Sequence, residues 1–270
     1  MTDATPPPDP LPPDPGFAHQ ARSSGRMPSI TRVATGRGVQ WWTEGWRLFV
    51  REPWTWLAIA AIYFVLLVAV ALIPVVGTPA TSLLLPILAG GALVGARAVD
   101  RGQPLTVAHL FSGFGPHGGP LLIVGLLYLG GWFVAWLVTA AILVGVAGLD
   151  TLGALLSGDV LETGVAALAA IGVGTIVMLV VVTLLGVPLL MAVWFAPALV
   201  VFADVEPLAA MKASFAASLV NAVPFLVYNL LALAFALLAT IPLGLGWLVL
   251  APVLAGSVYA SYVEIFGAPE

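Results

Sequence analysis

The sequence predicts an all-α membrane protein: a polytopic helical bundle of about six transmembrane helices, with cytoplasmic amphipathic helices and a repeated hairpin unit. Of the 270 residues, 61% are hydrophobic and only 8% are charged. A soluble domain of this length cannot bury so much apolar surface. The apolar residues also fall into long uncharged runs, and short amphipathic stretches precede three of them.

The first 38 residues differ in composition from the rest of the chain. Seven prolines lie between Pro6 and Pro15, and a stretch of Ser, Gly and Arg without apolar periodicity follows them. Such a segment cannot build a hydrophobic core. We therefore predict a disordered Pro-rich cytoplasmic tail over residues 1–38 and a membrane domain over residues 39–270.

Six apolar runs are long enough to cross a bilayer, which takes roughly 20 residues of helix. Prolines, glycines and charged residues mark their ends. The run from Gly164 to Ala203 has 40 residues, and Gly186 and Pro188 are expected to break or bend it, which leaves one span or two open. The predicted spans are 54–73, 82–97, 120–148, 164–187, 222–241 and 245–262.

The basic residues predict the orientation of the spans. Short loops rich in Arg and Lys remain on the cytoplasmic side of a membrane. With six spans, all nine basic residues lie on one side, whereas a seventh span would place Lys212 on the other. We therefore predict six spans with both termini in the cytoplasm.

Three amphipathic stretches precede the first, third and fifth spans, and a proline ends each of them. In the first, Trp42, Trp46, Phe49 and Val50 share one face at helical spacing. This pattern is typical of a helix that lies in the membrane interface. We predict interfacial helices over about residues 40–52, 105–114 and 206–220, all on the cytoplasmic face.

The first and last hairpins repeat a sequence. ALIP at 71–74 recurs as ATIP at 239–242, and PILAG at 86–90 recurs as PVLAG at 252–256. The registers of the two matches differ by two residues. The repetition indicates that the chain reuses one supersecondary unit.

Several motifs resemble an uncharacterised proteobacterial family of small six-span inner-membrane proteins. The resemblance covers about residues 42–266 and implies an inner-membrane location and an all-helical bundle. It implies no activity, so it supplies no functional residues, and the Pro-rich tail is an individual addition. The motifs are GWxLF at 45–49 with Pro53, DRG at 100–102, AHLF at 108–111, WFAPAL at 194–199, MKxSF at 211–215 and SxYxSY at 257–262.

The sequence contains no set of residues suited to catalysis. No predicted span holds an ionisable residue well inside it, although pumps and coupled carriers use such groups. Asp100, Arg101 and His109 are the only mixed polar group near the membrane, without metal-ligand spacing or a nucleophile. We predict no catalytic, cofactor-binding or metal-binding residue, and we interpret these three as ion-pair or headgroup contacts.

Two sets of residues are candidates for lipid contact or helix packing. Trp and Arg side chains at the cytoplasmic boundary suit the headgroup zone. Glycines spaced by four allow close helix packing, and an Asn at depth suits an interhelical hydrogen bond or, less favoured, a solute path. The headgroup candidates are Trp42, Trp46, Arg47, Arg51, Arg97, Arg101 and Lys212, and the packing or cavity candidates are Gly91, Gly95, Asn229 and Gly256.

Three classes of function are compatible with these features. The favoured one is a non-enzymatic inner-membrane protein that organises lipid or partner membrane proteins. The alternative is a channel or permease for a small uncharged solute, because internal repeats are common in transporters. An enzyme acting at the cytoplasmic interface is third. The expected partners are membrane lipids, other membrane proteins or a second copy of the chain, and no nucleic acid.

Overall fold

The computed structural model describes residues 28–146, 148, 156–157 and 160–269, and within these ranges it is helical without strands. A 3₁₀ turn follows α4 at Ser112–Phe114, and a π turn joins α6 to α7 at Val182–Gly186. The helices are α1 (Arg37–Arg51), α2 (Pro53–Ala71), α3 (Gly77–Asp100), α4 (Ala108–Phe111), α5 (Gly118–Val146), α6 (Val160–Val181), α7 (Val187–Trp194), α8 (Ala196–Ala203), α9 (Pro207–Val220), α10 (Ala222–Thr240) and α11 (Trp247–Phe266).

Six helical segments are long and apolar enough to cross a membrane, which confirms the predicted fold class. The second begins at Gly77, five residues before the predicted start. The fourth does not end at 187 but continues as one candidate span to Ala203. The six segments are Pro53–Ala71, Gly77–Asp100, Gly118–Ile142, Ile171–Ala203, Ala222–Thr240 and Trp247–Phe266.

The fourth span is continuous but irregular. Pro188 has no N–H to donate to the carbonyl of residue 184, and the π turn at Val182–Gly186 lies just before it. A second irregularity at Phe195 separates α7 from α8. Gly186 and Pro188 thus lie at an irregular part of the helix but do not divide the run into two candidate spans.

The predicted tail of residues 1–38 extends too far. Residues 1–27 lie outside the described part of the chain. Residues 28–36, however, pack against the bundle: the N–H of Thr31 donates to the carbonyl of Ile265 at 2.8 Å, and that of Val33 donates to Oδ1 of Asn221 at 2.9 Å. Helix α1 then begins at Arg37.

Each amphipathic helix packs against the second span of the preceding hairpin. The α4 segment contacts α3, and α9 contacts α7 in the fourth span. Helix α1 packs along α11, the second span of the last hairpin. The three second spans carry related sequences, because PLLMA at 188–192 in the fourth span corresponds to PILAG at 86–90 and PVLAG at 252–256. Only the Pro and the third-position Leu are common to all three, so the sequence repeat is clear in the first and last hairpins and weak in the middle one.

The apolar face of α1, which was predicted to lie in the membrane interface, is covered mostly by other helices. Trp41, Trp42, Leu48 and Phe49 are buried, and α1 packs on both α10 and α11. The second predicted interfacial helix is only the short α4 followed by its 3₁₀ turn. The third, α9, matches the predicted bounds within one residue.

The hydrophobic core lies at one end of the bundle, which we call the basic end. Ion pairs and hydrogen bonds place Arg37, Arg47, Arg51 and Arg101 there, at the ends of α1, α3 and α11. The buried residues concentrate in α1, α3, α8, α9 and α11. By contrast, large apolar side chains are exposed along α2, α5, α6 and α10.

Candidate functional site

Ion pairs connect several elements at the basic end. Arg47 Nε lies 2.7 Å from a carboxylate oxygen of Glu44, and Arg47 Nη2 lies 3.2 Å from Asp100 at the end of α3. The hydrogen bond with Glu44, more than that with Asp100, raises the pKa of Arg47. Arg37 pairs with Glu264 across α1 and α11. These ion pairs connect α1 to the ends of α3 and α11.

Five described basic side chains, Arg32, Arg51, Arg97, Arg101 and Lys212, have no carboxylate within ion-pair distance among the described residues. Arg51 Nη1 donates to the carbonyl of Val99 at 3.2 Å, and Arg101 donates to the carbonyl of Pro269. The guanidinium carbon of Arg97 lies 4.9 Å from the ring centre of Phe202. Lys212 is exposed on α9. Their positive charges are thus only partly compensated within the described chain.

The polar group of Asp100, Arg101 and His109 does not form a joint site. Asp100 pairs with Arg47 and accepts a hydrogen bond from the hydroxyl of Tyr259 at 3.3 Å. His109 Nδ1 instead lies 3.0 Å from the backbone N of Thr106. Among the described residues, no group of three or more His, Asp or Glu side chains could hold a metal ion.

A network of aromatic and hydroxyl groups fills the core between α1, α10 and α11. Trp42 stacks on Tyr228, with ring centres 5.0 Å apart, and donates its indole N–H to the carbonyl of Tyr228 at 3.2 Å. The Tyr228 hydroxyl lies 2.7 Å from Oγ of Ser257. Trp42 is therefore not free to contact a headgroup, and that assignment is wrong. Trp46, 53% exposed, remains accessible.

An apolar outer groove of about 610 Å³ runs between α1, α10 and α11. At the basic end its wall includes Trp42, Thr43 and Trp46, and farther along it includes Leu238 and Gly246. No ionisable side chain lines it. The groove therefore suits an acyl chain better than a polar solute.

A second, inner cavity of about 400 Å³ lies between α2, α3, α7, α8 and α11. Its wall is apolar except for tryptophan and tyrosine side chains, which bring one polar atom each. Trp56 is 1% exposed, and neither its indole N–H nor that of Trp194 has a hydrogen-bond partner in the part of the chain that the structure describes. The cavity is lined by Trp56, Ile59, Ala60, Tyr63, Phe64, Leu67, Leu88, Ala89, Ala92, Leu93, Leu110, Trp194, Pro197, Trp247, Ala251, Pro252, Leu254, Ala255 and Val258.

The predicted glycines lie at close backbone contacts. A Cβ atom at Gly91 would lie 2.1 Å from the carbonyl oxygen of Leu110, and one at Gly256 would lie 3.0 Å from Cα of Gly45. At Gly95 a Cβ atom would instead lie 2.9 Å from Cδ1 of Leu105, the end of a side chain that can move. The contacts of Gly91 and Gly256 agree with the packing role predicted for these glycines.

Asn229 does not form the predicted interhelical hydrogen bond. Its side-chain amide donates to the carbonyl of Phe225 in its own helix at 2.8 Å, the side chain is exposed, and it lines neither cavity. The sequence reasoning missed Asn221, which is 1% exposed and binds the segment before α1. It also missed Ser214, whose hydroxyl donates to the carbonyl of Met191 at 2.6 Å.

Comparison with known proteins gives one informative relative. No family model and no solved structure matches the chain. A probable inner membrane protein of Burkholderia thailandensis is 29% identical over 269 residues, which cover 89% of this chain and 95% of the relative. Burkholderia is a proteobacterium, so the predicted resemblance is confirmed. With its six candidate spans, the chain is a multi-pass inner-membrane protein similar to this Burkholderia protein.

Proposed function

We propose that the protein is a non-enzymatic component of the bacterial inner membrane that binds and organises anionic lipid at its basic end, with both termini in the cytoplasm. The observation that carries this proposal is the set of Arg51, Arg97, Arg101 and Lys212. None of these four has a carboxylate partner among the described residues.

Electrostatics favours anionic lipid as the ligand of these side chains. The cytoplasmic leaflet attracts basic residues near its surface by about 1 kcal/mol for each Lys or Arg. Trp46 and Trp54 are 53% and 82% exposed near the same end, and indole rings favour the headgroup zone. Basic and aromatic side chains therefore meet where lipid headgroups would lie.

The outer groove gives the acyl chain of such a lipid a place to bind. It begins beside Trp46 at the basic end and continues along α10 and α11 to Leu238 and Gly246. Its apolar wall would pack against hydrocarbon, while Arg51 and Arg101 contact phosphate. Headgroup and chain would thus bind to one continuous surface.

The proposed orientation can be tested by single-cysteine labelling, because the chain contains no cysteine. Cysteine placed at Ser29 or Lys212 is expected to react in intact cells only with a permeant maleimide. Cysteine at Leu243, which is 97% exposed between α10 and α11, is expected to react also with an impermeant one. The reverse pattern would place the basic end outside the cytoplasm.

Lipid binding is tested by replacing Arg51, Arg101 and Lys212 together with Gln. At about 1 kcal/mol for each charge, the variant is expected to bind phosphatidylglycerol roughly 100-fold more weakly at low salt. Native mass spectrometry after gentle extraction measures the retained lipid. The control replaces Arg22 and Arg26 with Gln, which removes positive charge from the N-terminal segment before Arg32, and it is expected to retain the lipid. Equal retention by the two variants would contradict the proposal.

A channel or permease for a small uncharged solute is the second candidate, and the inner cavity is the observation that favours it. Neither of the two cavities described above supplies the polar path expected near Asn229, because both have apolar walls. Proteoliposomes showing glycerol or urea flux that is lost on filling the cavity would favour this candidate.

The native mass spectra also test the identity of the partner. Retention of another membrane protein or of a second copy of the chain, instead of lipid, would assign the organising role to that partner.

A further inference from the structure

We propose that a cluster of side chains at the ends of α3, α8 and α11 binds one phosphoryl group, and that it takes a phosphomonoester lipid in preference to a phosphodiester lipid. The groups that would hold the phosphate are Arg97, Arg101 and Tyr262. The inference rests on the function proposed above and deepens it, because it names one headgroup site and the class of lipid that fits it.

Arg97 is held in this cluster by an aromatic ring and not by an acid. Helix α3 packs against both α8 and α11. The guanidinium carbon of Arg97 lies 4.9 Å from the ring centre of Phe202 on α8, and that ring centre lies 5.4 Å from the ring centre of Tyr262 on α11. A cation–π contact restricts the guanidinium without using its N–H groups. Arg97 donates no hydrogen bond within the described part of the chain, so these groups remain available.

The carboxylates close to this cluster in the sequence are already engaged by other cations. Asp100 pairs with Arg47 at 3.2 Å, Glu264 pairs with Arg37, and Asp204 lies 2.9 Å from Nε2 of His117. Arg97 and Arg101 lie about one helical turn apart, and their like charges interact unfavourably. These two positive charges therefore lack a counterion among the described residues, and a bound anion would relieve their repulsion.

The hydroxyl of Tyr262 adds a neutral donor beside these charges. Tyr262 is 3% exposed, and its hydroxyl has no hydrogen-bond partner among the described residues. It does not belong to the unpartnered polar atoms that have lost all accessible surface, so a ligand can reach it. Arg97 interacts electrostatically with this hydroxyl, which places the two groups near each other. The hydroxyl of Tyr259, by contrast, already donates to Asp100 at 3.3 Å.

Charge and geometry match a phosphomonoester. Such a group carries about −1.5 to −2 charges at pH 7 and three acceptor oxygens, which suits two guanidinium groups and one hydroxyl. A phosphodiester carries a single negative charge and would leave part of the positive charge uncompensated. Arg also recognises phosphate through paired N–H groups. Because Arg97 lies in the last turn of a candidate span, the bound phosphate lies at the membrane surface, where a lipid headgroup reaches it.

Native mass spectrometry of the full chain in detergent tests the preference between lipids. The protein is supplied with equal amounts of phosphatidic acid and phosphatidylglycerol, and phosphatidic acid is expected to be retained about 5-fold more because of its additional charge. Equal retention of the two lipids would overturn the preference for a phosphomonoester.

Glycerol 3-phosphate distinguishes a lipid from a soluble ligand, because it carries the headgroup of phosphatidic acid without acyl chains. It is expected not to be retained at the concentration at which phosphatidic acid is. Binding of glycerol 3-phosphate as tight as that of phosphatidic acid would identify a soluble phosphate ester as the ligand and would overturn the assignment to lipid.

Two variants test the residues of the site. Arg97→Gln is expected to lower the retention of phosphatidic acid roughly 5-fold. Tyr262→Phe removes only a hydroxyl and is expected to lower it roughly 2- to 12-fold. The matched controls, Arg26→Gln in the N-terminal segment and Tyr128→Phe on α5, should retain the lipid like the native protein. Thermal unfolding without lipid identifies a variant that fails to fold, and Tyr262→Phe keeps its ring, so the test does not depend on Arg97→Gln alone.

The outcome is separable from that of the function proposed above, since the experiment for that function leaves Arg97 and Tyr262 unchanged. If the variant with Arg51, Arg101 and Lys212 replaced releases phosphatidylglycerol while Arg97→Gln and Tyr262→Phe retain phosphatidic acid like their controls, the basic end binds lipid but this site is refuted. Retention of both lipids by every variant would refute the function and the site together.

Discussion

Replacing Gly45 with alanine is expected to lower the free energy of unfolding by about 1–3 kcal/mol, the usual cost of overpacking a core. The added Cβ would lie 2.4 Å from the carbonyl oxygen of Val253 and 2.8 Å from the backbone N of Ser257. Both are backbone atoms of α11, so no side chain can turn aside to relieve the contact. Thermal unfolding in detergent micelles measures the loss.

The matched control is Gly130→Ala on α5. A Cβ atom at Gly130 meets nothing within 4 Å, and Ala is the better helix former by about 1 kcal/mol. The two substitutions should therefore change stability in opposite directions. Gly91→Ala, at the corresponding contact of α3 with the α4 segment, should behave like Gly45→Ala. A Gly45→Ala protein as stable as the native one would show that α1 does not pack tightly on α11.

The number of spans was predictable because it depends on the number and length of apolar runs, which can be read directly from the sequence. A crossing helix needs a long apolar run, and each of the six runs is bounded by breakers or charges. The length of the fourth span was harder to predict. Pro188 disturbs the hydrogen bonding of one turn, but the helix accommodates it with a π turn and continues.

The position of α1 was not predictable from its amphipathic pattern alone. Such a pattern shows that one face is apolar, but lipid and protein cover an apolar face equally well. Two glycines seven residues apart on that face, Gly38 and Gly45, are the feature that indicates packing against protein. A Cβ at Gly38 would lie 2.3 Å from the carbonyl oxygen of Pro224, and small residues in such positions indicate close helix packing.

The two cavities could not be predicted from the sequence either. Their walls combine ordinary apolar residues from several helices, and no local motif marks them. By contrast, Arg51, Arg101 and Lys212 were predicted as headgroup contacts, and the structure leaves them exposed. Charged positions beside a span are visible in the sequence, whereas a cavity depends on how the spans pack.

Depth along a span proved a poor guide to which asparagine matters. Asn229 lies farther inside its span but faces outward and bonds within its own helix. Asn221 lies at the junction of α9 and α10, where it looks like a simple helix end, yet it is fully buried. Its side chain accepts a hydrogen bond from the N–H of Val33 and donates to the carbonyl of Thr31 at 3.1 Å.

Replacing Asn221 with alanine is therefore expected to detach the segment before α1 and to cost about 1–3 kcal/mol, the penalty for leaving buried polar groups unpaired. The substitution removes the partners of Val33 N–H and Thr31 C=O together, and it also removes the bond to the carbonyl of Ala217. Hydrogen exchange of residues 28–36, followed by mass spectrometry, reports the detachment directly. Thermal unfolding of the same sample gives the change in stability.

Asn229→Ala is the matched control for this experiment, because it makes the same chemical change eight residues later, inside α10. Its exposed side chain bonds only to the carbonyl of Phe225, so the loss should be within about 0.5 kcal/mol. Exchange at residues 28–36 should remain slow in this variant and become fast only in Asn221→Ala. If both variants left that segment protected, Thr31 would have to be held by its remaining hydrogen bond to Ile265 alone. Asn221 would then have no part in attaching the segment to the bundle.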